Sequence, residues 1–579
     1  MENNSFEYFV IKKIRVRTNI DNCHFCMPSN DSLTYFLNDI TKVLDNQIKN
    51  NTNNNYLTEL SKLFYAFLEK DTVLRDVDSL CFSKLLLTIK GISEGNPIDK
   101  KSVLEYLTRV KIRYMRPYLS KVIQTILSFQ TDFENNIDSI DAMVDLFFNE
   151  LLAKGIDVRF INRCTGWYKT GQFKNIQAFF RYFLDSNSDS YDIYLPIKDI
   201  TLKNRDIFEQ AGQEVVEIDD KLYLHVFKNL TIDYVSVIKT NMIRIESIFN
   251  MLKLYTRSSI SFDLLSESIV KIRSTVLNVE FESFSLRDIV RYEGVKPYSR
   301  YMKQTLDNLY NLESVDRSGY HKLLNIIAYS EKDDDYINPT SFVDAWIALE
   351  TLFSLSGAGK GIEVVKRLLP MLLSSKIIIN KLTYCLQKAF PEPKCKAEDF
   401  ILKKPDLDTI DNIYYKYELQ KFSDCFSNIK NLSKLYATEE NKIRTNLLRI
   451  YMLRNEYVHE SDLNAYSSLQ FYYLKNYLTM SIDMFFSMLD KLVTANLQKE
   501  EKQELIYCVF ERLIEKNEDR QVAFDISNMK KKYNNGNNYL AIDEVEKTIS
   551  LEEMVLNIIL NNKAINKKFE KRSKHNALE

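Results

Sequence analysis

The amino-acid sequence predicts a mainly α-helical protein, in which a C-terminal helical bundle follows an N-terminal α+β region. Glycine and proline are scarce, with 12 and 10 copies in 579 residues, and no proline follows Pro405. The last third of the chain can therefore form long helices. From about residue 300 onward, apolar residues recur every three or four positions, which is the spacing of one helical face. Earlier in the chain, segments that alternate apolar and polar residues indicate strands.

The N-terminal region mixes predicted strands and helices. Its predicted strands are 6–16, 191–202 and 214–227, the last folded back on itself around Asp219 and Asp220. Its predicted helices are 30–48, 57–68, 103–129, 235–255 and 263–273. We expect a break at Pro117, because proline lacks a backbone N–H and its ring clashes with the preceding turn.

The region from about residue 300 onward is predicted to be entirely helical. Its predicted helices are 301–312, 321–330, 341–355, 362–375, 377–388, 407–422, 430–459 and 462–497. We expect a kink or break at Pro370 and a break near Tyr436. The tail is charged and predicted to be helical, with a polar interruption at 534–538. The predicted division is an N-terminal region 1–299, a helical domain 300–498 and a helical appendage 499–579.

Composition and charge exclude several classes of protein. The formal net charge is −1, so any contact with nucleic acid must come from local basic patches. The eight cysteines are spread along the chain, which argues against a disulfide framework and for a reducing compartment. The N-terminus does not have the pattern of a leader peptide, and no apolar run reaches the ~18 residues of a membrane span. We therefore expect a cytoplasmic protein that does not enter the membrane.

The most informative motif is Arg454-Asn455-Glu456-Tyr457-Val458-His459. The chain has five histidines, and His459 has a cationic residue, Arg454, in the same short segment. An arginine can hold a phosphate through two N–H groups and stays charged, and an imidazole can move a proton near neutral pH. Together these groups can cleave RNA without a metal ion. Asn455 places a polar amide beside the arginine.

The spacing of this motif raises a geometric problem. Apolar residues at Ile443, Leu447, Ile450, Tyr451 and Val458 form one predicted helical stripe, and Arg454 falls in its middle. A buried charge there needs a partner. His459 lies about 140° further round the same helix, because each residue advances it by about 100°. The two side chains can converge if the helix ends or bends after Val458, or if a second copy of the helix packs against the first. The second route predicts a homodimer.

The residues alone also allow a purely structural role for the motif, or its occurrence by chance. An arginine within an apolar stripe can be a structural ion-pair partner, and a histidine can be a hydrogen-bonded core residue. Short motifs also recur by chance in long chains.

The segment 341–357 is the second informative stretch. Phe342, Trp346, Leu349 and Phe353 form a helical apolar stripe, and Glu350 lies beside it. Glu350 is either a counter-ion for Arg454 or a surface carboxylate, and the periodicity alone favours the surface.

Three further patterns in the sequence do not support a ligand site. The segment 357–361 (GAGKG) lacks the first glycine and the final Ser or Thr of a phosphate-binding loop, so we interpret it as a turn between helices. Cys23 and Cys26 supply two of the four ligands that a structural zinc ion needs. The run 333–335 (DDD) is predicted to be a solvated turn. We expect neither a metal nor a cofactor.

The stretch 100–121 combines basic and aromatic residues in a pattern that fits single-stranded RNA. Cations can grip phosphates while tyrosines stack on bases. A solvated basic helix face explains the pattern equally well. The residues concerned are Lys100, Lys101, Arg109, Lys111, Arg113, Arg116 and Lys121, with Tyr106, Tyr114 and Tyr118 between them.

With these residues in hand, the region 300–497 resembles the HEPN superfamily, and more closely its Apea-like branch. Arg454, Asn455 and His459 match that family's R-x4–6-H motif, which has a polar residue directly after the arginine. The segment 345–357 (AWIALETLFSLSG) is similar to that branch's first core helix and the glycine turn after it. The N-terminal region is loosely similar to the corresponding part of large Apea-like antiphage proteins.

The resemblance implies a dimeric helical bundle that brings two such motifs into one cleft. It implies a metal-independent endoribonuclease that leaves 2′,3′-cyclic phosphate and 5′-hydroxyl ends. His459 would be the general base or acid, Arg454 would hold the scissile phosphate, and Asn455 would orient the histidine or the RNA. The family's usual context is abortive infection, in which a toxin arrests growth during phage attack. The implied partners are RNA, with tRNA among the candidate substrates, a second copy of the chain and a phage-derived trigger sensed by the N-terminal region. The alternative is a non-catalytic helical module that binds RNA, a nucleotide or a partner protein.

Overall fold

A computed structural model describes most of the chain. The described residues are 5–18, 31–50, 56–184, 190–196, 214–218, 221–230, 233–239, 267–273, 281–285, 299–310, 317–330, 339–357, 359, 361–391, 395–403, 405–427, 429–460, 468–493, 509–511 and 513–514.

The described part of the chain is mainly α-helical, as the sequence predicts. Its N-terminal helices are α1 (Phe6–Thr18), α2 (Leu33–Asn50), α3 (Tyr56–Leu68), α4 (Thr72–Val77), α5 (Ser79–Ser93), α6 (Lys100–Ser128), α7 (Ile137–Ala153), α8 (Val158–Lys169) and α9 (Ile176–Tyr182). Its later helices are α10 (Ser299–Tyr310), α11 (Arg317–Ser330), α12 (Pro339–Ser354), α13 (Ile362–Ala389), α14 (Ala397–Lys403), α15 (Ile413–Phe426), α16 (Ile429–Glu460) and α17 (Ser468–Val493). Short 3-10 turns occupy Phe129–Asp132, Glu134–Asn136 and Leu407–Thr409.

One antiparallel sheet is formed by the part of the sequence between these two groups of helices. Its strands are β1 (Ser190–Pro196), β2 (Glu214–Ile218), β3 (Lys221–Leu230), β4 (Glu267–Arg273) and β5 (Phe281–Ser285), in the spatial order β2-β3-β1-β4-β5. Ile218 pairs with Lys221, so β2 and β3 form the hairpin that was predicted around Asp219 and Asp220. The strand predicted from residue 191 is confirmed as β1. Its predicted continuation beyond residue 196 lies outside the described residues.

Two predictions of secondary-structure type are wrong. The predicted strand 6–16 is helix α1, which buries residues on almost every side and so has no clear helical periodicity in its sequence. The predicted helix 263–273 contains strand β4, which pairs with β1 and β5. Its run Ile269, Val270 and Ile272 is β-branched, and such side chains favour strands. The predicted helix 235–255 is described only over 234–239, which is helical.

The helix does not break at any of the three predicted positions, and the kink that was the alternative at Pro370 stays a prediction. Pro117 lies inside α6 and Pro370 inside α13, and α16 continues through Tyr436. In each case the surrounding side chains are buried against other helices, since Tyr118 and Tyr436 are at most 1% exposed. Packing of this kind outweighs the local cost of one proline or one polar turn.

The described residues form two hydrophobic cores. The first joins the N-terminal helices and the sheet to the second half of α13, to α14 and α15, and to part of α16. The second joins α10, α11, α12 and α17 to the first half of α13 and to another face of α16. Helices α13 and α16 therefore connect the N-terminal and C-terminal parts of the chain. The predicted boundaries at residues 299 and 498 stay predictions.

A buried ion pair fixes α13 to α16. Lys381 Nζ lies 2.9 Å from Glu439 Oε2, and Lys442 lies 2.9 Å from Oε1 of the same carboxylate. Burial alone would raise the pKa of Glu439, but the two lysines outweigh it and hold that pKa at about 2. Glu439 therefore stays ionised at neutral pH, whereas burial lowers the pKa of Lys381 to about 8 although the charge of Glu439 acts in the opposite direction.

None of the helices in the described part of the chain combines the length and apolar character that a bilayer crossing requires.

Candidate functional site

Helix α16 carries the Arg454–His459 motif at its C-terminal end. The segment 429–460 contains no glycine or proline, which allows 32 residues to form one helix. The helix ends at Glu460, so Arg454 and His459 belong to the same continuous helix. The predicted alternative in which the helix ends after Val458 is therefore wrong, and a bend after Val458 stays a prediction. By backbone geometry the two positions stay about 140° apart. The His459 side chain lies outside the described part of the structure.

The buried face of α16 follows a slightly different path from the predicted one. Ile443, Leu447 and Ile450 are at most 1% exposed, as expected. The buried face then continues through Leu453 and Tyr457, each 8% exposed, whereas Val458 is 44% exposed. The prediction that Val458 belongs to the buried stripe is wrong, because neighbouring helices cover Leu453 and Tyr457 and leave Val458 exposed. Arg454 is half-buried.

Arg454 is held from one side by its neighbour in the motif. Its Nη1 atom donates a hydrogen bond to Oδ1 of Asn455 at 3.1 Å. Its Nε atom is buried and has no hydrogen-bond partner among the described residues. A guanidinium has five N–H donors in a rigid planar fork. The arrangement thus orients a cationic group that can still donate a hydrogen bond to an anionic oxygen.

Glu350 on α12 supplies a negative charge to this guanidinium. Glu350 is half-buried, and burial raises the pKa of its carboxyl group. The Trp346 side chain and the positive charge of Arg454 act in the opposite direction and lower that pKa. These observations favour the counter-ion over the surface carboxylate. The apolar stripe that positions Glu350 is confirmed, since Phe342, Trp346, Leu349 and Phe353 are at most 1% exposed.

A row of aromatic rings supports the site from the N-terminal side. The ring centroids of Trp346 and Tyr451 lie 5.7 Å apart, and those of Tyr451 and Tyr56 lie 5.4 Å apart. Lys366 Nζ lies 5.0 Å from the Tyr56 ring centroid and 3.0 Å from Glu59 Oε2. Burial and a hydrogen bond with Tyr451 raise the pKa of Tyr56. The row therefore links α3 to the same tryptophan that contacts Glu350.

Helix α2 packs on α16 through charged residues that lie before and after Arg454 in the sequence. Arg449 Nε lies 2.6 Å from Asp39 Oδ2, and its guanidinium carbon lies 4.5 Å from the Tyr35 ring centroid. Lys42 Nζ lies 2.6 Å from Glu456 Oε2. Sequence reasoning missed these contacts, because Asp39 and Arg449 are 410 positions apart and no local sequence pattern predicts that they pair.

We expect Asp39→Ala to lower the free energy of unfolding by about 3 kcal/mol, because removing one member of a buried ion pair leaves the other charge uncompensated. The side chains of Arg449 and Asp39 are only 3% and 14% exposed. Denaturant titration followed by circular dichroism measures the change. The matched control is Asp45→Ala on the same helix, which breaks an exposed pair with Lys49 and should cost less than about 0.5 kcal/mol. Equal losses in the two variants would contradict a structural role for the Asp39–Arg449 pair.

The other predicted patterns have different outcomes. Gly357, Gly359 and Gly361 have φ angles of 67°, 127° and 73°, so the segment between α12 and α13 is the predicted glycine turn. Among the described residues, no group of three or more His, Cys, Asp or Glu side chains is arranged to hold a metal ion. Cys23 and Cys26 and the acidic run 333–335 lie outside the described residues.

Two of the three tyrosines in the predicted RNA-binding stretch 100–121 are not available to stack on bases. Tyr114 and Tyr118 are 7% and 0% exposed, because they pack in the first core and cannot stack on bases. The hydroxyl of Tyr114 donates to Asp78 Oδ2 at 2.5 Å instead. Arg113 and Arg116 on the opposite side of α6 are exposed. The arrangement favours a solvated basic helix face.

Comparison with known proteins finds no matching family model, no matching curated protein and no matching solved structure.

Proposed function

We propose that this chain is a metal-independent endoribonuclease of the HEPN type, acting as a toxin in abortive infection. The observation that carries the proposal is the setting of Arg454. This half-buried guanidinium is oriented by Asn455, faces the charge of Glu350, and shares one continuous helix with His459. A cation held in this way suits an RNA phosphate, because its position is fixed before the substrate arrives.

The proposed reaction is an internal phosphoryl transfer. The ribose 2′-oxygen loses its proton to a His459 imidazole and attacks the adjacent phosphorus, while the bond to the 5′-oxygen breaks. The leaving 5′-oxygen takes a proton from an imidazolium, so the products are a 2′,3′-cyclic phosphate and a 5′-hydroxyl. Arg454 holds the non-bridging oxygens and stabilises their growing negative charge. Asn455 keeps the guanidinium in place.

A second copy of the chain completes the proposed site. Arg454 and His459 lie about 140° apart around one helix, so a single α16 does not direct both residues at one phosphate. Two copies of the helix can place Arg454 of one beside His459 of the other, which gives two such sites in one dimer. Val458, one turn after Arg454, is 44% exposed, and Ile347 on α12 is 38% exposed. These apolar side chains offer a contact surface for the second copy.

In this proposal the N-terminal region senses a phage-derived trigger inside the cytoplasm, and RNA cleavage then arrests growth. Support comes from the direct contacts of α2 and α3 with α16 and α13, which connect the N-terminal region to the motif.

Incubation of the purified protein with total RNA in excess EDTA tests the proposal. We expect fragments whose ends, analysed by mass spectrometry, carry a 2′,3′-cyclic phosphate and a 5′-hydroxyl, when extract of phage-infected cells supplies the trigger. Complete dependence on a divalent cation would contradict the metal-independent reaction. Intact RNA under all conditions would favour a helical module that binds RNA, a nucleotide or a protein without cleaving it.

A further inference from the structure

We propose that helices α2 and α3 form an autoinhibitory brake on the candidate site, and that α2 must leave α16 before RNA is cleaved. This inference rests on the proposed endoribonuclease function.

The contact between α2 and α16, formed by the pairs Asp39–Arg449 and Lys42–Glu456 and called the dock below, lies on the His459 side of helix α16. Arg449 and Glu456, which bind α2, are only about 20° apart around the helix axis, because they are separated by seven residues. The backbone position of His459 is about 60° from that of Glu456, whereas Arg454 is about 160° from it. Helix α2 therefore covers the flank next to His459 and leaves the flank of Arg454 to α12. RNA or a second copy approaching His459 must share this flank with α2.

Helix α3 contacts the site on a different side. Tyr56 packs against Tyr451, which lies about 60° from Arg454 around α16. Glu59 on the same helix pairs with Lys366 on α13. The two N-terminal helices thus contact α16 at residues before and after Arg454 and fix the helix from two directions.

Charged pairs at the edge of the dock make it suited to release. The Lys42 side chain is 44% exposed while its partner Glu456 is 6% exposed, and Glu59 is 41% exposed beside Lys366. Pairs with one member in solvent are accessible to competing charges and weaken as ionic strength rises. A trigger that engages α2 can therefore separate Lys42 from Glu456. The buried Arg449–Asp39 pair makes the docked state specific, because it requires one register of α2 on α16.

Charge reversal at the edge of the dock tests the brake. We expect Lys42→Glu to raise RNA cleavage without trigger by about tenfold or more, which corresponds to about 1.4 kcal/mol of lost docking free energy. Hydrogen exchange of the α2 amides should rise in the same variant. The double variant Lys42→Glu/Glu456→Lys reverses the pair and should restore both readouts toward wild type. Lys49→Glu makes the same charge change on the same helix, where Lys49 pairs with Asp45 within α2, and should leave cleavage unchanged.

The outcomes separate the brake from the proposed function. Faster exchange in α2 without faster cleavage would overturn the brake and leave the nuclease in place. Unchanged exchange and unchanged cleavage would show that the Lys42–Glu456 pair does not hold the dock, which also overturns it. Absence of His459-dependent cleavage from every variant would reject the nuclease, and the brake with it. If Lys42→Glu does not fold, Lys42→Met removes the charge without introducing repulsion, and the same comparisons apply.

Discussion

Replacing His459 by alanine should lower the rate of RNA cleavage at least about a hundredfold, because it removes the group that moves protons at the 2′-hydroxyl and the leaving oxygen. The melting temperature should stay within about 2 °C of wild type, since alanine is the best helix former and position 459 is one residue from the end of α16. Single-turnover cleavage of a labelled RNA and differential scanning fluorimetry measure the two quantities. His459→Ala should also relieve growth arrest in cells that express the protein.

The matched control is His321→Ala. His321 is exposed on α11, away from the motif, and its loss should change neither cleavage nor melting temperature. Cleavage that persists in His459→Ala would reject the assignment of His459. A large fall in melting temperature together with lost activity would instead favour a structural histidine.

The second large effect is expected for Arg454→Lys. This change keeps the positive charge beside Glu350 but removes the planar fork that can bind two phosphate oxygens. It also removes the guanidinium donor to Asn455. We expect kcat to fall about a hundredfold while RNA binding falls much less, since the lost contact is strongest in the transition state. Single-turnover rates over a range of protein concentrations separate the effect on kcat from the effect on RNA binding.

Arg444→Lys controls for the general loss of an arginine on the same helix. Arg444 is largely exposed and pairs with Glu440 at 3.4 Å, so the change should leave kcat within about twofold of wild type. Full activity of Arg454→Lys would mean that a point charge is enough, and the geometric role of the fork would be wrong. A fall in stability without a change in kcat would place Arg454 among the structural ion-pair partners.

The features that sequence could predict are those governed by local pattern. The stripe of α12 follows from four apolar side chains at helical spacing, and the glycine turn after it follows from residues that adopt positive φ. The β2–β3 hairpin follows from alternation around two aspartates. Helix α16 could be predicted because its sequence contains no helix breaker.

The features that sequence could not predict depend on tertiary packing. Helix α1 is buried on most sides, so its sequence lacks the amphipathic period that would identify it. Val458 is exposed because neighbouring helices cover Tyr457 instead, and a pattern of apolar residues does not state which of the two is covered. The contacts of Asp39, Lys42 and Tyr56 with α16 join residues about 400 positions apart. Such pairs leave no local signal other than charged residues within an otherwise apolar helix.

The central claim is that Arg454 of one copy and His459 of another act on the same phosphate. Mixing inactive Arg454→Ala and His459→Ala proteins tests it directly, because a mixed dimer contains one site with both residues intact. After exchange of subunits, verified by co-purification of two different affinity tags, we expect cleavage to recover to about a quarter of the wild-type rate, since half of the dimers are mixed and each has one of two sites. A mixture that contains mixed dimers but stays as inactive as either parent, beside an active wild type, would contradict the claim.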